Sequence, residues 1–409
     1  MSDVVERFMR YVQVASTSDP ANEEQTPSTP AQIDMAALLG EELAALGCAD
    51  VKVGEHAYVT ATVPASAGAE AAPALMLCAH IDSSPDAPGK GVNPRIVRYE
   101  GGDLVHGEGV VTRPSDEPGL EKLVGADLIV TDGTTLLSAD DKAGVAEIVS
   151  LVSRIVDNPA LPHPELKIAF VPDEEIGHGA SLLDLDALGA AYGYTVDGGP
   201  IGEYSYECFS ACQATVVFHG TVVHPGTAKD IMVNALTLAA KFQEAVPALE
   251  RPEHTEGREG FYHPTSIEGT PDEVTLSYII RDFDAASFDE RQRTLERIAD
   301  EMNGEYGAGR VEVAFKQQYR NMAEHLSGAE FLNDCALAAF RAAGYEPFVE
   351  PVRGGTDGAQ LTFRGLPCPN LSTGGFAYHS VREFIPVASL EGMVDVLEKL
   401  VCLLAERRA

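Results

Sequence analysis

Short apolar segments that end in acidic or histidine residues, separated by stretches of helical periodicity, are the feature that most constrains the fold of this chain. Residues 58–63, 74–79 and 167–171 are apolar and flanked by turn-forming residues, and residues 144–156 carry apolar side chains at helical spacing. This alternation predicts an α/β fold with a central sheet covered by helices. Because ligands collect where the strands of such sheets end, the residues directly after the strands are the first candidates for a functional site.

The pattern changes near residue 208 and returns near residue 320, which predicts an inserted domain. Between these points we predict a small α+β domain, with strands at 212–219, 273–283 and 311–315 and helices at 231–248 and 287–302. Helices at 330–343 and 390–405 resume the first pattern. The predicted organisation is therefore a larger domain in two parts, residues 1–207 and 320–409, interrupted by a smaller domain at 208–319.

The charge of the chain limits its partners. Its 409 residues contain 63 Asp and Glu against 29 Lys and Arg, a formal net charge of -34, so nucleic acids and anionic membranes would be repelled. The N-terminal sequence MSDVVERFMRYVQV lacks the basic and apolar regions of a signal peptide. No apolar run approaches the roughly 20 residues that span a bilayer, so we expect a cytoplasmic protein without a membrane segment.

The first chemically informative segment is the apolar run LMLCAHID at residues 75–82. His80 and Asp82 stand two residues apart, so their side chains would leave a strand on the same face. A metal-binding imidazole usually has its second nitrogen fixed by a carboxylate or carbonyl, and Asp82 is suited to that purpose. Taken alone, the pattern is also compatible with a turn that contains a hydrogen-bonded histidine.

Other acids and a second histidine occupy comparable positions. Asp140 and Asp141 open a predicted helix, residues 173–175 are three acids that follow a strand, Asp197 ends a short strand, and His379 lies in a loop after two glycines. Each has an ordinary explanation, since acids cap helices and acidic turns are well solvated. Together they supply imidazole and carboxylate ligands of the kind that Zn²⁺ accepts without any thiolate.

A dense group of carboxylates favours a metal site over a bare acidic cluster. Neighbouring carboxylates repel one another and raise each other's pKa values, and bound cations remove that repulsion. Five ligands with one shared carboxylate suit two ions a few Å apart. Spacing alone does not decide between Asp140 and Asp141, or between Glu174 and Glu175, as ligands.

Several longer motifs carry a family resemblance along essentially the whole chain. The chain resembles the peptidase T family of tripeptide aminopeptidases, in the zinc exopeptidase superfamily of aminoacylases, glutamate-releasing carboxypeptidases and diaminopimelate desuccinylases. The motifs that carry it are SSPDAPGKGVNP, TDGTTLLSADDKAG, AFVPDEEIG, YTVDGG, VHPGTAKDIMVNA, YIIRDFD and RGGTDGAQLTFRGLPCPN. The resemblance implies a catalytic domain with a mixed central sheet flanked by helices, and an inserted α+β domain that acts as a lid and as a homodimer interface.

The resemblance also implies a metal site with two Zn²⁺ per subunit, which Co²⁺ or Mn²⁺ can replace in vitro. It assigns His80 and Asp197 to one ion, Glu175 and His379 to the other, and Asp140 as the bridging ligand. Glu174 would be the general base that takes a proton from the water bridging the ions, so that the resulting hydroxide attacks the peptide. Asp82 would support catalysis beside His80.

Substrate-binding residues are expected in and near the inserted domain. The resemblance implies that His224 binds the substrate carbonyl and reaches the active site of the partner subunit. Arg281, Arg353 and Asn234 are candidates for holding the peptide, because arginine offers a planar fork that matches a carboxylate. A cation at a fixed distance from the metal ions would select short peptides, which are the expected substrates.

Two other interpretations remain open. The first is a related metal-dependent dipeptidase, deacylase or carboxypeptidase, which would use the same ligands. The second is an inactive metal-binding dimeric scaffold, against which the presence of Glu174 argues because a storage site needs no base. A serine or cysteine hydrolase finds no support, since the sequence contains no Gly-x-Ser-x-Gly motif.

Overall fold

The computed structural model describes residues 1–407, which fold into two units. The first unit contains Met1–Tyr206, His325–Glu350 and the chain from Thr356 onwards, and the second contains Glu207–Glu324 and Pro351–Gly355. The expected insertion of a smaller α+β domain is therefore confirmed. The short segment Pro351–Gly355 also belongs to the second unit, a return that the sequence pattern did not indicate.

Helices and strands alternate along the first unit, whereas the second unit is richer in long strands. The helices are α1 (Asp3–Tyr11), α2 (Ala31–Ala45), α3 (Ala139–Asp157), α4 (Leu185–Leu188), α5 (Ala235–Ala245), α6 (Ala285–Tyr306), α7 (Phe331–Ala342), α8 (Asp357–Phe363) and α9 (Val387–Ala405). The strands are β1 (Ala49–Val53), β2 (Val59–Val63), β3 (Leu75–His80), β4 (Arg95–Arg98), β5 (Leu104–Gly107), β6 (Val110–Thr112), β7 (Asp127–Val130), β8 (Leu166–Val171), β9 (Tyr192–Val196), β10 (Glu203–Ser205), β11 (Ser210–His219), β12 (Phe261–Gly269), β13 (Glu273–Asp282), β14 (Val311–Tyr319), β15 (Phe348–Val349), β16 (Asn370–Leu371) and β17 (Phe384–Pro386).

The first unit is organised around a mixed sheet with the strand order β1-β2-β8-β3-β9-β16-β10-β15. Its centre, β8-β3-β9-β16, is parallel, while β2 pairs with β8, and β10 with β16, in antiparallel fashion. The carboxyl ends of the central strands therefore meet at one edge of the sheet. That edge is where a ligand site is expected in an α/β fold.

The central strand β3 shows that this sheet is covered on both faces. All six of its residues are buried, as expected for a strand with helices on both sides. Leu75 and Leu77 belong to the main apolar core, whereas Met76 and Cys78 belong to a second core on the opposite face. The two-residue repeat of the strand therefore divides its side chains between two cores.

Helix α3 is the most completely buried helix next to this sheet. Its apolar side chains Val145, Ile148, Leu151 and Val152 are fully buried in the main core, which also contains residues of α1, α2, α7 and α9. A helix that is covered on most sides is held firmly. Its first turn, which contains Asp140, is therefore fixed against the end of the sheet.

The second unit is a four-stranded antiparallel sheet, order β12-β13-β11-β14, packed on α5 and α6. Alternate residues of β11 and β13 are buried, and their side chains form a separate apolar core with those of α5 and α6. The predicted order of elements in this unit, strand, helix, strand, helix and strand, is correct. It did not include β12. Within residues 1–407, no helix combines the length and the apolar character that crossing a membrane requires.

Candidate metal centre

Three of the central parallel strands lead directly into candidate ligands. Strand β3 ends with His80, β8 is followed by the acids at 173–175, and β9 is followed by Asp197. Asp140 lies in the first turn of α3 and His379 in the loop before β17. Residues far apart in the sequence are thus brought to one edge of the sheet.

The first ligand group consists of His80, Asp140 and Asp197. The Nε2 atom of His80 lies 2.8 Å from Oδ1 of Asp140 and 3.8 Å from Oδ1 of Asp197. One ligand atom from each of these residues lies within 4.8 Å of the others. The group can therefore surround a single ion.

The second group consists of Asp140, Glu175 and His379, with ligand atoms that also lie within 4.8 Å of one another. The Nε2 atom of His379 is 2.9 Å from Oε2 of Glu175 and 3.3 Å from Oδ2 of Asp140. Asp140 thus directs one carboxylate oxygen towards each group. A carboxylate in this position is suited to bridging two ions.

The chemistry of the cluster fits divalent cations. Two imidazoles and three carboxylates form a ligand set without thiolate, which zinc accepts. The Oε1 atom of Glu175 is buried and has no hydrogen-bond partner among the described residues. A buried carboxylate oxygen left in this state is costly, and a cation between the ligands would satisfy it.

Protonation of the metal-free cluster shows what the cations would replace. Burial disfavours the charged form of His80, but hydrogen bonds to Asp140 and Asp82 outweigh it and raise its pKa well above the usual range. Contacts with Asp140 and Glu175 raise the pKa of His379 to about 11. Burial raises the pKa of Glu175, and burial together with Asp141 raises that of Asp197. The cluster thus favours bound protons, and a metal ion would have to displace them.

This competition predicts that metal binding stabilises the protein more at pH 8 than at pH 6. The raised pKa values of His80, His379, Asp197 and Glu175 mean that the folded metal-free protein retains protons that the unfolded chain releases as pH rises, so its stability falls. Metal-loaded protein escapes this loss, and gains about 4 kcal/mol when the free ion is about 1,000-fold above its dissociation constant.

Thermal unfolding with and without a chelator measures the effect. The difference in Tm between the two samples should widen from pH 6 to pH 8. An equal or smaller difference at pH 8 would contradict the proton competition.

Asp82 contacts both His80 and the loop that carries Glu174 and Glu175. It is fully buried, and its Oδ1 atom lies 3.3 Å from Nδ1 of His80. Its carboxylate also accepts hydrogen bonds from the backbone N–H groups of Glu174 (3.1 Å) and Glu175 (3.2 Å). One side chain therefore orients a histidine ligand and the loop that carries two further candidate residues.

The structure distinguishes the adjacent acids that spacing could not separate. Asp141 uses its carboxylate to accept hydrogen bonds from the backbone N–H groups of His80 (3.0 Å) and Gly144 (3.2 Å), whereas Asp140 faces both histidines. Glu175 contacts His379, while among the described residues Glu174 belongs to neither ligand group. Asp140 and Glu175 therefore lie in the two candidate ligand groups, and their roles as ligands stay predictions.

Sequence reasoning did not identify Glu383, although it holds the loop that carries Asp140. Its buried carboxylate accepts hydrogen bonds from the backbone N–H groups of Leu137 (2.8 Å), Ser138 (2.7 Å) and Asp140 (3.0 Å). The available signal was an acid placed directly before the apolar residues of β17. Buried acids are rare unless they are paired or hydrogen-bonded.

Tyr378 was also not identified, and it joins two loops of the cluster. Its hydroxyl donates to the carbonyl oxygen of Gly198 (2.9 Å) and accepts from the backbone N–H of Gly375 (3.0 Å). Gly198 directly follows Asp197, and Tyr378 directly precedes His379. The hydroxyl therefore ties the loop of one candidate ligand to the loop of another.

The four predicted substrate-binding residues belong to the second unit. His224 is exposed and accepts a hydrogen bond at Nδ1 from the backbone N–H of Gly226, and Asn234 caps α5. Arg281 donates to the carbonyl oxygen of Ile280 (2.9 Å). The Nη1 atom of Arg353 donates to two carbonyl oxygens, at 2.6 and 3.1 Å, and its guanidinium lies over the rings of two phenylalanines. Their roles towards a substrate stay predictions.

Sequence comparison finds close relatives over the full length. A family model of the peptidase dimerisation domain matches residues 206–310. Peptidase T of Vibrio parahaemolyticus is 47% identical over 409 residues, which make up 100% of both chains. Peptidase T of Shouchella clausii is 44% identical over 405 residues, 99% of each chain.

Solved structures show the same fold. Aminopeptidase PepT from Bacillus cereus has a TM-score of 0.77 at 22% identity, and a tripeptidase from Staphylococcus aureus has 0.74 at 23%; each match covers 99% of this chain and 98% of the other. A dinuclear metal-binding peptidase of the M20 family from Bacillus subtilis has a TM-score of 0.67 at 16% identity. This match covers 98% of this chain and 97% of the other. The expected fold, a mixed α/β sheet with an inserted dimerisation domain, is confirmed.

Proposed function

This chain belongs to the peptidase T family, and we propose that it is a dinuclear zinc aminopeptidase that removes the N-terminal residue from tripeptides. The observation that supports this most directly is the pair of ligand groups that share Asp140. An inactive metal-binding scaffold would need these ligands but would have no use for Glu174. The tripeptide preference rests on family membership.

Each ion would be held by one of the two ligand groups. His80 and Asp197 would bind one, Glu175 and His379 the other, and Asp140 would contact both. When bound, the ions would supply Lewis acidity to the scissile carbonyl and would lower the pKa of a bound water molecule. The imidazole and carboxylate ligand set supports zinc, and Co²⁺ or Mn²⁺ would be accepted in vitro.

Glu174 would act as the general base. It accepts a proton from the attacking water and delivers it to the amine of the leaving dipeptide. Burial and the negative charges of Asp197 and Asp357 raise the pKa of Glu174 well above its usual range in the metal-free protein, and the charge of bound ions opposes this shift. Asp82 holds Glu174 in place through the backbone N–H.

A panel of small substrates tests the reaction. Metal-loaded protein is offered a free tripeptide, the matching dipeptide and tetrapeptide, and the N-acetylated tripeptide, and products are identified by mass spectrometry. We expect the tripeptide to yield its N-terminal amino acid and a dipeptide, and the acetylated form to remain intact. Preferred cleavage of the dipeptide, removal of the acetyl group, or release of the C-terminal residue would instead identify a dipeptidase, a deacylase or a carboxypeptidase.

Two arginines of the second unit, Arg281 and Arg353, are proposed to select peptide length. Replacing Arg281 or Arg353 with Ala should lower kcat/KM for a free tripeptide by about 10- to 100-fold, since a charge-assisted hydrogen bond contributes about 1.5 to 3 kcal/mol. A C-terminally amidated tripeptide, which lacks the carboxylate, is the control and should lose much less. Equal losses on both substrates would rule out recognition of the carboxylate by that arginine.

We further propose that the protein acts as a homodimer in the cytoplasm. The match of residues 206–310 to the peptidase dimerisation domain supports self-association. Light scattering on the purified protein should give about twice the 43.5 kDa of one chain. A mass of one chain at all working concentrations would contradict the dimer.

A further inference from the structure

In both candidate histidine ligands, a carboxylate contacts Nδ1, the ring nitrogen that does not face the cluster. The Nδ1 atom of His80 lies 3.3 Å from Oδ1 of Asp82, and the Nδ1 atom of His379 lies 3.0 Å from Oδ2 of Asp86. Both acids lie in the segment that follows β3. One short segment therefore supplies the carboxylates that contact the two histidines on the side away from the cluster.

The two contacts differ sharply in their surroundings. The side chains of His80 and Asp82 are 1% and 0% exposed, whereas those of His379 and Asp86 are 43% and 64% exposed. Asp82 is also fixed by the backbone N–H groups of Glu174 and Glu175. The orientation of His80 is therefore enforced by a packed interior, whereas His379 is half-exposed and its Nδ1 atom is held by Asp86.

The backbone of His379 makes this contact more important. Its φ angle is 59°, in the left-handed region that non-glycine residues rarely occupy. A residue in such a conformation is kept there by its surroundings, because the conformation itself is unfavourable. The hydrogen bond to Asp86 fixes the direction of the ring and keeps a proton on Nδ1. The Nε2 atom, on the side of Glu175 and Asp140, can then offer its lone pair to an ion that displaces the proton there.

We propose that Asp86 is a positioning residue for His379, and that it sets the affinity of the ion held by Asp140, Glu175 and His379. The inference rests on the proposed dinuclear function. Asp86 does not belong to either ligand group among the described residues, so its effect passes through the imidazole. Loss of a carboxylate behind a metal-binding histidine typically lowers metal affinity by about 10- to 100-fold.

The test is a metal titration of three variants against the wild-type protein. Zn²⁺ is added to metal-free protein in competition with a chromophoric chelator, which gives a dissociation constant for each ion. In Asp86→Ala, we expect one of the two constants to rise by about 10- to 100-fold and the other to change little. Asp86→Asn, which keeps an uncharged acceptor, should fall between Asp86→Ala and the wild type. Asp127→Asn is the matched control, because it removes a comparably exposed carboxylate, 49% accessible, from an ion pair with Arg98.

Activity provides a second readout that separates positioning from folding. If Asp86 acts through metal affinity, saturating Zn²⁺ restores most of the kcat of Asp86→Ala, and the circular dichroism spectrum matches that of the wild type. Two ions with unchanged affinities in Asp86→Ala would overturn the inference, as would an equal weakening of both ions. A wild-type protein that takes up fewer than two ions would instead overturn the proposed function on which the inference rests.

Discussion

The variant Glu174→Gln should retain both metal ions while its kcat on a tripeptide falls by about 10²- to 10⁴-fold, the usual contribution of general acid–base catalysis. Glutamine has nearly the same shape as glutamate but cannot accept the proton of the attacking water. Glu174 belongs to neither ligand group among the described residues, so the ions should stay in place. Metal content by mass spectrometry and initial rates measure the two expectations on the same sample.

Glu175→Gln is the matched control, because it makes the same chemical change at the next residue. Glu175 is part of the second ligand group, so this variant should weaken the binding of one ion. A nearly wild-type kcat for Glu174→Gln would show that Glu174 is not the general base. Loss of an ion from Glu174→Gln but not from Glu175→Gln would reverse the two roles.

Replacing Asp140 with Ala should have the largest effect of any single ligand change, because both ligand groups contain this residue. We expect both ions to bind more weakly, whereas His379→Ala should weaken only one. Each ion contributes several kcal/mol of transition-state stabilisation, so kcat/KM should fall by about 10⁴-fold or more at limiting metal. Equilibrium dialysis with Zn²⁺ followed by tripeptide assays measures both quantities.

Asp141→Asn is the control for this prediction. The carboxylate of Asp141 accepts hydrogen bonds from backbone N–H groups, so the change should cost about 1 to 3 kcal/mol of stability but leave two bound ions. If Asp141→Asn lost the ions and Asp140→Ala kept them, the assignment of the shared carboxylate would be wrong.

The main features of the fold were accessible from the sequence because they depend on strong local signals. The apolar run at residues 75–79 and the helical spacing of apolar residues at 144–156 have few alternative explanations. Strand β12 escaped detection because it contains Pro264 and its second half is exposed. It forms an edge of its sheet, where burial imposes no alternation of apolar and polar residues.

The candidate site was predictable only in part for a different reason. Acids and a histidine at the ends of strands can be read from the sequence, because parallel strands bring their carboxyl ends together. The roles of Glu383 and Asp86 depend on contacts between residues more than 240 positions apart. No local pattern encodes such contacts, so the positioning residues became apparent only from the structure.

Anomalous diffraction from a crystal of the zinc-loaded protein would show whether two ions share Asp140. We expect two peaks about 3.5 to 4 Å apart, one beside His80 and Asp197 and the other beside Glu175 and His379, with one oxygen of Asp140 next to each peak. A single peak, or ions bound by other side chains, would contradict it.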